Sequence, residues 1–173
     1  MTSLGPTERE LLARLLDESA CRAVLARYGA AIDWQDRQGL ETVFWPDAAI
    51  DYGFFKGSGA DLVSVLLQIA TLSLRRFHML GGERLHIVGE IAHAESYILT
   101  QAISQEPNGA QRSSLFYGRF IDRLERRQGE WRIGRRNYLQ HGAYAGPYTE
   151  NAAPIGLPNA DGLDPAHPLF RRP

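Results

Sequence analysis

Residues 27–57 read RYGAAIDWQDRQGLETVFWPDAAIDYGFFKG, and the apolar spacing changes from helical to strand-like inside this stretch. Apolar residues keep the three- and four-residue spacing of a helix up to Asp33, and they alternate as in a strand over residues 47–54. Pro46 and Gly57 bound the alternating segment, which is typical of a strand. The stretch therefore predicts the end of a long helix, a turn with a short second helix, and the first strand of a sheet.

The sequence on either side extends this order of elements. Helical spacing covers residues 7–33 and returns in residues 59–76, and strand-like segments then follow at residues 84–103, 112–126 and 130–144. A turn signal at Gly89 divides the first of these segments into two strands. Helices that precede a run of consecutive strands predict an α+β fold, in which helices cover one face of an antiparallel meander.

The end of the chain differs in composition. Residues 146–173 hold six prolines and few apolar side chains, which predicts a tail without regular structure. We therefore divide the chain into an α+β domain at residues 1–145 and a proline-rich tail at residues 146–173. Such a tail is mobile in solvent, covers a pocket or packs against a neighbouring subunit.

Composition excludes several classes of function. The 173 residues, 44% of them hydrophobic, fit one globular domain, and the net charge of -1 argues against a nucleic-acid partner. A single cysteine, Cys21, forms neither an intramolecular disulfide nor a multi-cysteine zinc site. No apolar run approaches the roughly 20 residues of a membrane span, and the N-terminus does not resemble a secretory signal. We expect a cytoplasmic protein without a membrane partner.

Asp33 and His78 are the candidates for acid–base chemistry. Asp33 ends a helix behind apolar neighbours, and His78 lies between the third helix and the meander, a position typical of a pocket rim. A histidine works as acid or base near neutral pH, and a nearby carboxylate would orient its ring and favour its protonated form. Asp36 and Asp51 are rival carboxylates, of which Asp36 is predicted to be solvated. The structural alternative makes Asp33 a solvated helix end and His78 an ordinary hydrogen-bonding residue.

The other histidines give no metal-binding spacing, so we expect no metal site. His86 and His93 lie in predicted strands and are expected to face solvent or to bond locally. His141 lies in the last strand, where it could converge with Asp33 and His78. The sequence also lacks a nucleophile motif, a phosphate-binding loop and a dinucleotide fingerprint, which leaves acid–base chemistry without a cofactor.

Tyr28 and an arginine complete the candidate site. Tyr28 lies about 140° from Asp33 around an ideal helix, so both reach one cavity only if the helix end unwinds or the cavity is wide. Its hydroxyl could stabilise an enolate, or the side chain could be an ordinary core aromatic. In the last strand, regular alternation points Arg135 inward, whereas a bulge near Gly134 would turn Arg136 inward.

Three segments resemble the SnoaL-like proteins: residues 27–57, RFHMLGG at residues 76–82, and RRQGEWRI at residues 126–133. The resemblance extends over about residues 10–144. It implies the cone-shaped, cystatin-like α+β barrel that this superfamily shares with nuclear transport factor 2, scytalone dehydratase and ketosteroid isomerase. In that fold, N-terminal helices pack on a curved, mostly antiparallel sheet.

The local likeness is strongest to the dehydratase-like branch, which includes scytalone dehydratase, bile-acid 7α-dehydratase and hexachlorocyclohexane dehydrochlorinase. By motif, the catalytic aspartate and histidine of that branch match Asp33 and His78, and a tyrosine and a polar group match Tyr28 and Arg136. The match to Arg136 favours the bulged strand. Scytalone dehydratase also has a second catalytic histidine on the meander, for which His93 is the nearby candidate.

The resemblance implies cofactor-free elimination or hydration of a small hydrophobic substrate that is cyclic or resembles a polyketide or steroid. His78, oriented by Asp33, would remove a proton, Tyr28 would stabilise the developing negative charge, and Arg136 would assist the leaving group. Aromatic side chains around the mouth, Trp45 among them, suit a ring-bearing ligand. The substrate-binding candidates are Trp34, Phe44, Tyr52, Phe54, Phe120 and His141.

Two alternatives stay open. An isomerase or cyclase of the ketosteroid-isomerase kind would use Asp33 itself as the base. A non-catalytic ligand-binding module, like the small subunit of ring-hydroxylating dioxygenases, would place Asp33 and His78 too far apart to hydrogen-bond. The family likeness also implies a homo-oligomer, a dimer or trimer, built through the exposed face of the meander.

Overall fold

The computed structural model describes residues 5–149 and 160–172. Three helices and six strands make up these residues, in an order that confirms the α+β fold. They are α1 (Pro6–Asp33), α2 (Arg37–Glu41), β1 (Phe44–Asp51), β2 (Lys56–Gly57), α3 (Gly59–Ala70), β3 (Arg75–Val88), β4 (Ile91–Gln105), β5 (Gln111–Arg127) and β6 (Glu130–Tyr148). None of the helices in the described ranges is long and apolar enough to cross a membrane.

The strands form one curved, open sheet in the order β2-β1-β6-β5-β4-β3. Strands β3 to β6 make the predicted antiparallel meander, and β1 pairs with β6 in parallel. The helices cover one face of the sheet, which we call the inner face: α1 packs on β3 and β6, and α3 packs on β1. The core lies between them, and its best-buried apolar side chains are Leu25, Leu40, Val43, Leu62, Val63, Leu124 and Ile133.

Two element boundaries differ from the predictions. Strand β1 begins at Phe44, ahead of Pro46. Its pairing with β6 is irregular between Phe44 and Ala49, so Pro46, which has no backbone N–H, interrupts no hydrogen bond of the sheet there. Helix α3 ends at Ala70 and β3 begins at Arg75. His78 therefore lies inside the first strand of the meander, not ahead of it.

The first half of α1 is not buried, contrary to its apolar spacing. Leu11, Leu12, Leu15 and Leu16 are exposed, and nothing in the described part of the chain covers them. Contact with the sheet begins at Asp17, whose carboxylate accepts a hydrogen bond of 2.8 Å from Trp131 Nε1. Only the part of α1 beyond this point, from Cys21 on, contributes fully buried residues to the core.

The predicted tail begins within the sheet. Strand β6 runs to Tyr148, three residues into the segment assigned to the tail, and residues 160–172 contain turns but no helix or strand. Residues 150–159 of the predicted tail lie outside the described residues. The described part of the tail packs against the end of α1 and the start of β3.

Candidate active site

Asp33 and His78 are in direct contact. His78 Nδ1 and Asp33 Oδ1 lie 2.7 Å apart, and the backbone N–H of His78 donates to Asp33 Oδ2 at 3.0 Å. Both side chains are mostly buried, with 16% of Asp33 and 13% of His78 exposed. The carboxylate thus fixes both the ring and the backbone of one residue. The non-catalytic alternative predicts no such contact.

A close approach of α1 to β3 makes this contact possible. At Gly29 a Cβ atom would lie 3.0 Å from the His78 carbonyl oxygen and 3.3 Å from His78 Cβ, so any larger residue would crowd the strand. Asp33 follows Gly29 by four residues and shares its face of the helix. Gly29 therefore sets the helix–strand distance at which the Asp33 carboxylate reaches His78.

The contact also determines the tautomer of the histidine. A carboxylate accepts hydrogen bonds and donates none, so the Nδ1 that faces Asp33 carries the proton. In the neutral ring Nε2 then has a free lone pair and is the base. His78 lines an apolar cavity whereas Asp33 does not, which leaves the Nε2 edge of the ring for this cavity.

The cavity lies between the helices and the inner face of the sheet and has a volume of about 360 Å³. Of the predicted site residues, Tyr28, Tyr52, Phe54, His78 and Phe120 line it. Most of the remaining wall is aliphatic or aromatic. The polar residues that the sequence did not indicate are Ser73, Arg76, Thr100, Tyr138 and Gln140.

Arg136 lies behind this cavity and not in its wall. Gly134 is the extra residue of a bulge, because Arg123 pairs with Arg135 while Leu124 pairs with Ile133. The bulge turns Arg136 inward and leaves Arg135 exposed, which confirms the bulged alternative.

The Arg136 guanidinium is fully buried in an ion pair. Its Nε and Nη2 donate to the two carboxylate oxygens of Asp122, both at 2.7 Å, and its Cζ lies 3.9 Å from the centre of the Phe120 ring. Burial disfavours the cation, but the Asp122 carboxylate outweighs this effect and raises the pKa of Arg136. The sequence did not indicate Asp122, because pairing across two strands depends on their register.

A chain of hydroxyls links Arg136 to the cavity. Arg136 Nη1 donates to the Tyr52 hydroxyl at 3.5 Å, and the Tyr52 hydroxyl donates to the Tyr28 hydroxyl at 2.9 Å. The proton of Tyr28 is then free to point into the cavity. Burial, reinforced by Tyr52, raises the pKa of Tyr28 well above its ordinary value, so Tyr28 remains a hydrogen-bond donor at neutral pH.

Four side chains that the sequence predicts around the substrate, three aromatic rings and one histidine, do not line the cavity. Trp34 follows the end of α1 and packs on the tail, and Phe44 is buried beneath Tyr28 and Arg136. Trp45 lies under the guanidinium groups of two arginines, away from the cavity. His141 is the extra residue of a second bulge in β6 and is exposed on the outer face of the sheet.

Three further polar predictions have mixed outcomes. His86 and His93 are exposed and pair across β3 and β4, as expected, so His93 contributes nothing to the cavity. Asp36 is not solvated: it is buried and accepts two hydrogen bonds from Arg172 in the tail. These bonds lower the pKa of Asp36, although burial opposes the shift.

Arg76 belongs to the site, although the sequence did not indicate it. It is buried in the cavity wall between α1 and α3, and its guanidinium donates to the Asp33 carbonyl oxygen at 3.2 Å. Burial lowers the pKa of Arg76, and the Asp33 charge opposes this. Apolar spacing extends the third helix to Arg76, which hides the inward position that this residue takes in β3.

The SnoaL-like domain model matches residues 13–137, so the chain belongs to the SnoaL-like family. A comparison with curated proteins finds no match. The matched range contains α1 from residue 13 onward, α2, α3 and the meander up to residue 137, and therefore both Asp33 and His78.

Solved structures share the fold. A candidate scytalone dehydratase from Novosphingobium aromaticivorans is 22% identical, with a TM-score of 0.65 over 84% of this chain and 97% of that one. A hexachlorocyclohexane dehydrochlorinase from Novosphingobium barchaimii is 20% identical, with a TM-score of 0.65 over 79% and 93% of the two chains. A protein from Kribbella flavida is 13% identical, with a TM-score of 0.69 over 76% and 95%. These likenesses show the cone-shaped α+β fold.

Proposed function

We propose that this protein is a cofactor-independent lyase that eliminates water or halide from a small, hydrophobic, ring-bearing substrate. The observation that carries the proposal is the Asp33–His78 pair at the wall of an apolar cavity of about 360 Å³. That volume lies at the small end of ligand sites and suits a ring compound.

His78 is the base in the proposed reaction. Its Nε2 takes a proton from a substrate carbon, the electron pair of that C–H bond forms a C=C bond, and the bond to the leaving group on the next carbon breaks. The departing group is halide, or it is hydroxide that receives the proton from the His78 imidazolium and leaves as water. The Asp33 carboxylate orients the ring and stabilises the imidazolium throughout.

Tyr28 stabilises negative charge in this scheme. Its hydroxyl donates to a substrate carbonyl or to the leaving group, while Tyr52 and Arg136 behind it polarise the hydroxyl. Arg136 thereby acts through the two tyrosines, because it does not line the cavity itself.

The names of two structural neighbours support elimination as the reaction type. One is a candidate scytalone dehydratase and another is a hexachlorocyclohexane dehydrochlorinase. An isomerase that uses Asp33 as the base is less well supported, because both carboxylate oxygens of Asp33 accept hydrogen bonds from His78 and Asp33 does not line the cavity.

The test is turnover of a substrate panel by the full chain. The panel contains hexachlorocyclohexane isomers, with chloride release as the readout, and hydroxylated cyclic ketones, with loss of water followed by mass spectrometry. We expect His78→Ala to abolish the activity found and His93→Ala, on the outer face, to retain it. A His78→Ala variant that matches the wild type would refute the proposed function.

We also propose that the chain forms a homo-oligomer through the outer face of the meander. Exposed apolar patches are typical of protein–protein interaction sites, and this face exposes large apolar side chains on consecutive strands. They are Phe77, Met79, Tyr97, Tyr117 and Leu139. Light scattering on the wild type and on a Tyr97→Glu variant tests this: the variant should dissociate, and a monomeric wild type would contradict the proposal.

A further inference from the structure

The tail binds each of the three residues that follow Asp33. The Trp34 ring lies 5.4 Å from the ring of His167 and 5.6 Å from that of Phe170. The next residue, Gln35, donates from Nε2 to the Leu163 carbonyl oxygen at 3.1 Å.

The third of these residues is held by an ion pair. Both carboxylate oxygens of Asp36 accept from Arg172, at 2.6 and 2.9 Å, and the Arg172 Nη1 also donates to Gln38 at 2.7 Å. The turn between α1 and α2, which fixes the end of the helix that carries Asp33, is thus bound by residues more than 120 positions away in the sequence.

Arg76 joins the tail to Asp33 directly. Its Nη2 donates to the carbonyl oxygens of Asp33, at 3.2 Å, and Leu163, at 3.0 Å, and its Nη1 donates to those of Ala70, at 2.7 Å, and Ser73, at 3.0 Å. The buried cation thus lies at the C-terminal ends of α1 and α3, where the helix dipoles favour positive charge. One side chain therefore connects two helix ends and the tail.

The start of the segment 160–172 is bound to the residues at the start of β3. The backbone N–H of Gly162 donates to the Leu74 carbonyl oxygen at 3.0 Å, and Asp161 forms an ion pair with Arg75. The segment is therefore fixed at the start of the strand that carries His78 and at the end of the helix that carries Asp33.

We propose that residues 160–172 are a clamp that holds Asp33 in register with His78, and that Arg76 is the positioning residue through which the clamp acts. This inference rests on the proposed function, in which the dyad is the catalytic unit. No described residue of the tail lines the cavity. Loss of the clamp therefore changes the orientation of the dyad, and with it kcat, while substrate binding and KM stay nearly unchanged.

The central test compares two neighbouring arginines in the full chain. Arg172→Ala removes the bond to Asp36. Within the described ranges, Arg171 donates only to carbonyl oxygens of the tail, so Arg171→Ala is the matched control. We expect Arg172→Ala to lower kcat about tenfold with KM within about twofold, because small misplacements of catalytic groups cost this much or more. The Arg171→Ala variant should match the wild type.

Hydrogen exchange gives a readout that does not depend on turnover. The amides of Trp34, Gln35 and Asp36 donate to carbonyls of the last turn of α1. In Arg172→Ala their exchange should accelerate about tenfold, since local opening becomes easier when the tail is released. Unchanged exchange would overturn the clamp, and accelerated exchange with an unchanged kcat would show packing without a role in positioning.

Arg76→Lys tests the link itself. Lysine keeps the charge but cannot place four hydrogen bonds in the planar geometry of the guanidinium, so we expect the same loss of kcat and the same faster exchange. A variant with wild-type kcat would overturn the role of Arg76. Failure of the proposed function is distinguishable, because an active His78→Ala variant would refute the dyad while leaving the exchange results intact.

Discussion

The Asp33 carboxylate holds His78 at two points, the ring Nδ1 at 2.7 Å and the backbone N–H at 3.0 Å. The bond to the backbone N–H limits which substitutions at position 33 can preserve the bond to the ring. A residue at position 33 must satisfy the backbone donor and the ring together, so its chemical type selects which ring nitrogen carries the proton.

Asp33→Asn should therefore disable His78 without unfolding the protein. The amide oxygen replaces the acceptor for the backbone N–H, which turns the amide NH₂ toward Nδ1 and places the ring proton on Nε2, the wrong tautomer for a base. We expect kcat to fall by about 10² to 10⁴. Steady-state kinetics with a urea unfolding curve checks this, and a kcat within about threefold of wild type would contradict the assigned tautomer.

Tyr28→Phe should lower kcat by about 10² to 10³, the usual cost of removing one preorganised donor to a developing negative charge. Tyr138→Phe is the control, because Tyr138 also lines the cavity but lies outside the Arg136–Tyr52–Tyr28 chain. Equal losses in the two variants, measured on the same substrate, would assign the effect to cavity shape and not to the hydroxyl.

The sequence predicts the Asp33–His78 contact because the two residues match a family motif, even though His78 lies inside β3 and not ahead of it. It does not decide Arg135 against Arg136, because one extra residue at Gly134 reverses the faces of everything that follows in the strand. The register of β5 against β6 turns Arg136 inward, where it is buried.

The wrong assignments have a different cause. The sequence predicts a substrate contact for Trp34 and a solvated carboxylate for Asp36, yet the tail covers both residues. Composition alone marks the tail only as a segment without regular structure. Leu11 to Leu16 keep helical spacing, but spacing indicates a possible buried face and not how far the sheet extends beneath it. Long-range contacts decide both cases.

Gly29→Ala should lower activity more than stability. The added methyl meets the His78 carbonyl at 3.0 Å and pushes α1 away from β3, while alanine gains about 1 kcal/mol in helix propensity. We expect a net destabilisation of about 0–2 kcal/mol but a clear loss of kcat. Gly81→Ala on β3, where a Cβ meets nothing within 4 Å, is the control, and an active Gly29→Ala would show that the helix–strand distance is not limiting.

The Asp36–Arg172 pair should make stability depend on pH. The pKa of Asp36 is lowered in the folded protein from its ordinary 3.8, so its contribution is complete above that value and is lost as the pH falls through the folded value. Asp36→Asn should flatten the decrease in unfolding free energy below about pH 4. Urea titrations of Asp36→Asn, Arg172→Gln and the double variant check this: additive effects would show that the two side chains do not act as a pair.

Arg136→Met should destabilise the fold by about 3–5 kcal/mol, because it leaves the buried Asp122 carboxylate without its partner. Arg136→Met combined with Asp122→Leu removes both charges and should recover much of that loss, since a well-packed apolar pair often replaces a buried ion pair at little cost. Chemical unfolding measures both variants. The double variant should still lose kcat, because Tyr52 no longer has the cation behind it. Recovery of stability and activity together would mean that the ion pair serves packing alone and that the hydroxyl chain needs no charge.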